Sequence, residues 1–323
     1  MLKKVSIAVV AILLATTSLT SCGGKSDSAI DVAIYLYDVS GSGDQSGYTP
    51  EDRRSQLKEK FANAFEERNA IYFDFVRRDF GAQQISSLVT PTFFITVDEI
   101  LANEIHDGGL LKDVKANLTE VWGKMISNET IADSDNCSET VKGMMQDASL
   151  GNFTPAASRQ LAGKFCSSVS QGLRVINTIP VVAAERSTNE IGSGIQGAID
   201  KSIQKVESEE MRIHRKYPNV NLVPTLILTS DFLEMRPNFF LLDAMEKVKD
   251  GGAACELGTA DAGNIEGTII PFTLESDGFA SIRGSRMTAQ VRDKMLQYWT
   301  CWFEARNITD INLGDRGVDW STL

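Results

Sequence analysis

Histidine is almost missing from this chain: the 323 residues hold two, His106 and His214, far apart and in no HExxH spacing. Imidazole-based zinc catalysis and a Ser-His-Asp triad therefore have little to be built from. Positive charge is also short. Lys and Arg total 32 against 43 Asp and Glu, a formal net charge of −11 with pI near 4.8. That balance argues against a nucleic-acid binder working through bulk charge. Cysteine is sparse, five in all, and no two form a CxxC pair, so thioredoxin-like and zinc-ribbon chemistry has no support. What is plentiful is core-forming material. Hydrophobic residues are 42% and charged residues 23%, which excludes disorder as the main state. At about 150 residues per domain, the length predicts two domains or one enlarged one.

The first residues read as an export signal. Met1-Leu2-Lys3-Lys4 is a short basic region, Val5 to Leu14 is nearly unbroken apolar sequence, and Leu19-Thr20-Ser21-Cys22 closes the segment with small residues. The apolar stretch is too short to favour a spanning helix. A cysteine at that junction resembles the lipobox of bacterial lipoproteins, which implies cleavage before Cys22 and diacylglycerol on its thiol. The reading divides the start of the chain into a signal peptide over 1–21 and a polar tether over 22–28. Four cysteines then remain, Cys137, Cys166, Cys255 and Cys301, an even number in a compartment where disulfides persist. Sequence order favours Cys137–Cys166 and Cys255–Cys301 among the three possible pairings.

The mature chain alternates strand and helix signals. Ile30 to Tyr37 is an apolar β-rich run suited to a strand covered on both faces. Thr49-Pro50-Glu51-Asp52 is a helix start, with Leu57, Phe61, Ala64 and Phe65 as its apolar stripe. Ala70 to Val76 predicts a second strand, and Pro91 to Val97 a third or its hairpin partner. Residues 98–174 lack a strong β run and predict a largely helical insertion. Val175 to Ala184 returns to β-like composition. Ile191, Ile195, Ile199, Ile203 and Val206 mark an amphipathic helix halted by Pro218. Leu222 to Leu228 predicts a buried strand, Phe239 to Val248 a helix, and Gly267 to Leu274 a further strand. A last helix from about Thr288 buries Val291, Met295, Trp299, Trp302 and Phe303. The fold class expected is α/β, a doubly wound and mainly parallel sheet over 29–97 and 175–323.

Asp38-Val39-Ser40-Gly41-Ser42 sits directly after the first strand. The carboxyl ends of strands form the ligand edge of a parallel α/β sheet. Alternation along the turn lets Asp38, Ser40 and Ser42 point to one side, three oxygens of the kind a hard divalent cation takes. Their low formal charge would leave the ion seeking an acidic group from elsewhere.

DxSxS after an apolar strand resembles the metal-ion-dependent adhesion site of von Willebrand factor A (vWA) domains. That family also uses a threonine in a loop before a helix and an aspartate after a later apolar strand. Here Arg186-Ser187-Thr188-Asn189 precedes the amphipathic helix, and Leu226-Ile227-Leu228-Thr229-Ser230-Asp231 ends the buried strand. The resemblance implies Asp38, Ser40, Ser42, Thr188 and Asp231 as the ligand set, with Ser187 an alternative to Thr188. The gap from Asp38 to Thr188 is long for the family, and Phe232 stands where a glycine is frequent. The cation implied is Mg2+, or Mn2+ or Ca2+.

Other signals have plainer readings. Gly192-Ser193-Gly194-Ile195-Gln196-Gly197 matches a dinucleotide fingerprint but lacks the tight turn from a strand, and reads as close helix packing. Glu207-Ser208-Glu209-Glu210 reads as a solvated helix face. Trp299, Trp302 and Phe303 read as core. The function expected is a lipid-anchored, non-enzymatic binding protein of the cell envelope, holding a divalent cation that a carboxylate of a protein partner completes. Two other readings stand beside it. One is a metal-dependent hydrolase using Asp38 on a similar sheet, although Ser40 occupies the place of its usual second acid. The other is a structural envelope lipoprotein without a metal site.

Overall fold

The computed structural model describes residues 28–39, 48–76, 85–129, 134–147, 153–186, 194–236, 239–263, 270–277, 288–313 and 320–322. The strands in chain order are β1 (Ser28–Asp38), β2 (Asn69–Val76), β3 (Ser86–Val89), β4 (Val220–Thr229), the short pair β5 (Met235–Arg236) and β6 (Phe239–Phe240), β7 (Phe272–Asp277) and β8 (Ile308–Leu313). Six of them form one sheet in the order β3-β2-β1-β4-β7-β8. All neighbours are parallel except β3, which runs antiparallel to β2. From β1 the chain builds outward through β2 and β3, then crosses to β4 on the other flank. The topological switch point therefore lies between β1 and β4, where α/β sheets open a crevice at their carboxyl edge.

Every residue from Val32 to Val39 is buried, as a strand covered on both faces requires. Register assigns the covering elements. Tyr35 pairs with Phe73, and both rings pack against Trp320, which the helix α1 (Pro50–Glu67) holds through Gln56 and Arg53. Ile34 pairs with Tyr72 on the opposite face, and there Lys205 of α6 (Ile195–His214) lies over the Tyr72 ring at 5.7 Å. Helix α1 starts as its sequence predicts. The Thr49 hydroxyl accepts from Asp52 N–H at 3.2 Å, and the Asp52 carboxylate accepts from Thr49 N–H at 2.8 Å.

Between β3 and α6 the described residues form four helices: α2 (Pro91–Glu104), α3 (Gly108–Ser127), α4 (Ser134–Asp147) and α5 (Pro155–Arg186). Two expectations are corrected here. Pro91 to Val97 is not a strand but the first half of α2. The Thr90 hydroxyl caps Phe93 N–H at 3.3 Å and Pro91 supplies the first turn, the same start signal as at Thr49-Pro50. Pro91, Phe93, Phe94, Ile95 and Val97 are buried and, with Ile100 and Leu101, form the inward stripe of an amphipathic helix whose Ala102 and Asn103 are exposed. Over 91–97 alone the apolar run is too dense to show that period. Val175 to Ala184 is likewise helical, the end of the 32-residue α5 with Pro180 inside it. Leu173, Ile176, Ile179 and Ala183 are buried while Val181 is 58% exposed. That spacing of three and four is helical, and β-branched composition concealed it. The boundaries expected at 97/98 and 174/175 consequently fall within α2 and α5.

The remaining helices are α7 (Leu241–Lys247), α8 (Gly251–Ala262) and α9 (Ala289–Ala305), followed at the end by a 3-10 turn over Trp320–Thr322. Phe239 and Phe240 belong to β6 rather than to the helix after them, and β7 starts at Phe272, later than expected. Trp299, Trp302 and Phe303 are fully buried core. The acidic run is corrected too: Glu209 and Glu210 are buried, Glu209 pairing with Lys205 and Arg212, Glu210 accepting from Leu222 N–H at 3.1 Å. Gly258 lets α8 approach α9 closely, since a Cβ there would meet the Tyr298 carbonyl oxygen at 2.2 Å. No helix among the described residues is long and apolar enough to cross a membrane.

Both disulfides favoured by sequence order are present, Cys137–Cys166 between α4 and α5 and Cys255–Cys301 between α8 and α9. The first closes a separation of 29 residues, worth about 3.5 kcal/mol in lost unfolded-chain entropy. Replacing both its cysteines by serine should lower the melting temperature by about 7 °C in scanning calorimetry. An unchanged transition would mean that this crosslink contributes nothing to stability.

Candidate functional site at the carboxyl edge of the sheet

Asp38 is the last residue of β1, and Ser230-Asp231 follow directly on Thr229, the last residue of β4. The two strands are parallel neighbours, with Tyr37 opposite Thr229. The ends of both thus meet at the switch point. Asp38 is 0% and Asp231 1% exposed. The Ser230 hydroxyl donates to Asp38 Oδ2 at 2.7 Å, which brings the β4 loop onto the β1 carboxylate across 192 residues of chain. Asp231 Oδ1 accepts from Leu233 N–H at 3.0 Å, so its carboxylate turns back over its own loop.

That loop is built without glycine. Phe232 has φ +59°, the left-handed region that is strained for a bulky side chain. The position after Asp231 therefore takes the conformation that a glycine would supply, and burial of the ring offsets the strain. Phe232 is 0% exposed, 5.6 Å edge-on to Trp299 and near Phe303. Its N–H donates to Ser230 Oγ at 3.1 Å, and its carbonyl accepts from Trp299 Nε1 at 3.1 Å.

Glu234, which the sequence reading passed over, ends the same loop. It is 0% exposed, and its Oε2 accepts from Ile195 N–H at 2.7 Å and Gln196 N–H at 3.3 Å, the first turn of α6. A carboxylate at the positive end of a helix is favourable. Gln196 in turn donates to Tyr298 Oη at 2.7 Å, and Tyr298 to Asp261 at 2.7 Å, tying the start of α6 to α9 and α8. Two consequences follow. The N–H groups that a dinucleotide phosphate would take at this GxGxxG helix are given to Glu234. The first turn of α6 is thereby fixed to the end of the loop that carries Asp231.

Ser40, Ser42 and Thr188 lie outside the described residues, as do Ser187 and Cys22. Of the five expected ligands, Asp38 and Asp231 are described: Asp38 ends β1, and Asp231 lies two residues past the end of the neighbouring β4. Carboxylate and hydroxyl oxygens such as those of Asp38, Ser230 and Asp231 are the donor chemistry a hard divalent cation accepts. They do not make a complete cage by themselves. Among the described residues no group of three or more His, Cys, Asp or Glu could hold a metal ion. Comparison of the chain with models of known families, with characterised proteins and with solved structures finds no match in any of the three.

Proposed function

We propose that the chain is a vWA-like binding protein of the cell envelope that recognises a protein partner through a divalent cation at this edge. The single observation that supports it most is the pair of buried carboxylates, Asp38 and Asp231, ending adjacent parallel strands at the switch point. A buried carboxylate is costly unless something compensates its charge, and a cation is one such compensation. The strand order, with an antiparallel β3 at one edge, suits the resemblance read from the DxSxS segment. In this proposal Asp38 and Asp231 hold Mg2+, Mn2+ or Ca2+ together with Ser40, Ser42 and Thr188. The bound cation would supply an electrophilic position for a carboxylate of the partner protein. Lipid on Cys22 would fix the domain to a membrane outside the cytoplasm, and the two disulfides suit such a compartment.

Calorimetric titration of the mature chain with MgCl2, MnCl2 and CaCl2 tests the cation. Binding of at least one is expected, together with capture of an envelope protein that EDTA abolishes. Absence of heat with all three salts would leave the purely structural reading. Phosphate-ester turnover lost in Asp38→Asn would favour the hydrolase instead.

A further inference from the structure

The C-terminal turn touches the same edge from the other face of the sheet. Trp320 is 0% exposed. Its indole Nε1 donates to Thr229 Oγ1 at 3.2 Å, and Thr229 is the residue before Ser230-Asp231. Its ring stands edge-on to Tyr37 at 5.7 Å, and Tyr37 is the residue before Asp38. One side chain therefore contacts the last strand position ahead of each buried carboxylate.

Helix α1 clamps that side chain. Gln56 Oε1 accepts from Trp320 N–H at 3.3 Å and from Arg53 Nη1 at 3.0 Å. The Arg53 guanidinium, itself 0% exposed, lies 4.6 Å over the Trp320 ring and 4.5 Å over the Tyr48 ring. Tyr48 is the first described residue after the segment that carries Ser40 and Ser42. Through Trp320 and Arg53, Tyr37 ahead of Asp38, Thr229 ahead of Ser230-Asp231, and Tyr48 ahead of α1 are packed into one unit. The indole N–H bond reaches the strand end across 91 residues of chain.

We infer that Trp320 is a positioning residue for the Asp38–Asp231 edge, so that seating of the C-terminal turn and occupation of the edge by a divalent cation are thermodynamically linked. This rests on the cation-site reading and adds a lever to it. Linkage is reciprocal: whatever unseats the turn weakens the cation, and the cation tightens the turn by the same factor.

The test compares Mn2+ affinity by calorimetry in the full mature chain, in Trp320→Phe and in Trp122→Phe. Each variant keeps an aromatic ring and loses one buried indole N–H bond, to Thr229 Oγ1 in the first and to the Phe61 carbonyl in the second. The Mn2+ dissociation constant is expected to rise about tenfold in Trp320→Phe and to stay at the wild-type value in Trp122→Phe. Equal constants in wild type and Trp320→Phe, or equal shifts in both variants, would overturn the linkage while leaving the cation site standing. Failure of wild type to bind Mn2+ would remove the site reading itself, and the linkage with it. Amide hydrogen exchange of the wild-type peptide containing residues 320–322 decides the matter if Trp320→Phe does not fold. Added Mn2+ should slow it, and exchange insensitive to bound Mn2+ would refute the link.

Discussion

Asp38→Asn should weaken divalent-cation binding by a hundredfold or more while leaving the fold intact. Removing a mere orienting partner of a metal ligand costs about 10- to 100-fold, and Asp38 is proposed as a ligand itself. The asparagine keeps the size and an oxygen that can still accept from Ser230 Oγ, now 2.7 Å from Asp38 Oδ2. What changes is the charge. Two effects on the cation-free protein oppose each other: a charge-assisted hydrogen bond becomes a neutral one, and a fully buried charge is no longer desolvated. The melting temperature in EDTA is therefore expected within about 2 °C of wild type. With cation at a hundred times the wild-type dissociation constant, the wild type gains about 2.7 kcal/mol, a rise of about 5 °C, and Asp38→Asn gains at most about 0.4 kcal/mol, under about 1 °C. Differential scanning fluorimetry with and without Mg2+ reads both. An equal rise in the two proteins would show that Asp38 is not a ligand.

The strand-end carboxylates were legible because their signal is local. A continuous apolar run predicts a strand covered on both faces, and the residue after it must lie at a sheet edge. Asp38 after Ile30–Tyr37 and Asp231 after Leu222–Leu228 both follow from that, and β1 and β4 pair as neighbours. Helix starts were legible where a hydroxyl residue precedes proline and an apolar period follows, as at Thr49. The same start at Thr90 is harder to read, since the apolar run from Pro91 to Val97 shows no period over its own length and the helical stripe emerges only when Ile100 and Leu101 are included. In α5 the period was present, and valine and isoleucine composition outweighed it. Composition is the weaker signal: β-propensity mostly reports fit to a half-buried surface, which one face of a long helix also offers.

Glu234 and Trp320 were not legible, for a different reason. Each acts on a partner far along the chain, Glu234 on Ile195 at a separation of 39 residues and Trp320 on Gln56 at 264. Neither sits in a spacing that names its role. A glutamate after a strand reads as loop polarity, and a tryptophan near a chain end has no period around it. The missing glycine at Phe232 shows the converse. A left-handed position usually announces itself by glycine, but here the ring's burial against Trp299 and Phe303 holds the backbone where glycine would be free to go.

Trp122→Ala is expected to have the largest effect on stability and to decide how the helical stretch relates to the sheet. Trp122 on α3 is 0% exposed. Its ring lies 5.2 Å from Phe61 on α1, 5.2 Å from Phe93 on α2 and 5.5 Å from Phe165 on α5. Its Nε1 donates to the Phe61 carbonyl at 2.8 Å. Residues from within 98–174 and from the first helix of the sheet domain thus share one aromatic cluster, and α5 comes so close to α1 that a Cβ on Gly172 would meet the Phe61 ring at 2.3 Å. Truncating a buried tryptophan costs about 3–5 kcal/mol, and the lost hydrogen bond adds about 1 kcal/mol. A shift of about 10 °C or more in the melting temperature should result, against about 3 °C for Trp122→Phe. Because the cluster spans both segments, calorimetry should record one transition in wild type and one, lowered, in Trp122→Ala. Two transitions, with only the earlier one moved, would mean that the helices between β3 and α6 melt as a unit of their own and that the shared rings do not couple them to the sheet.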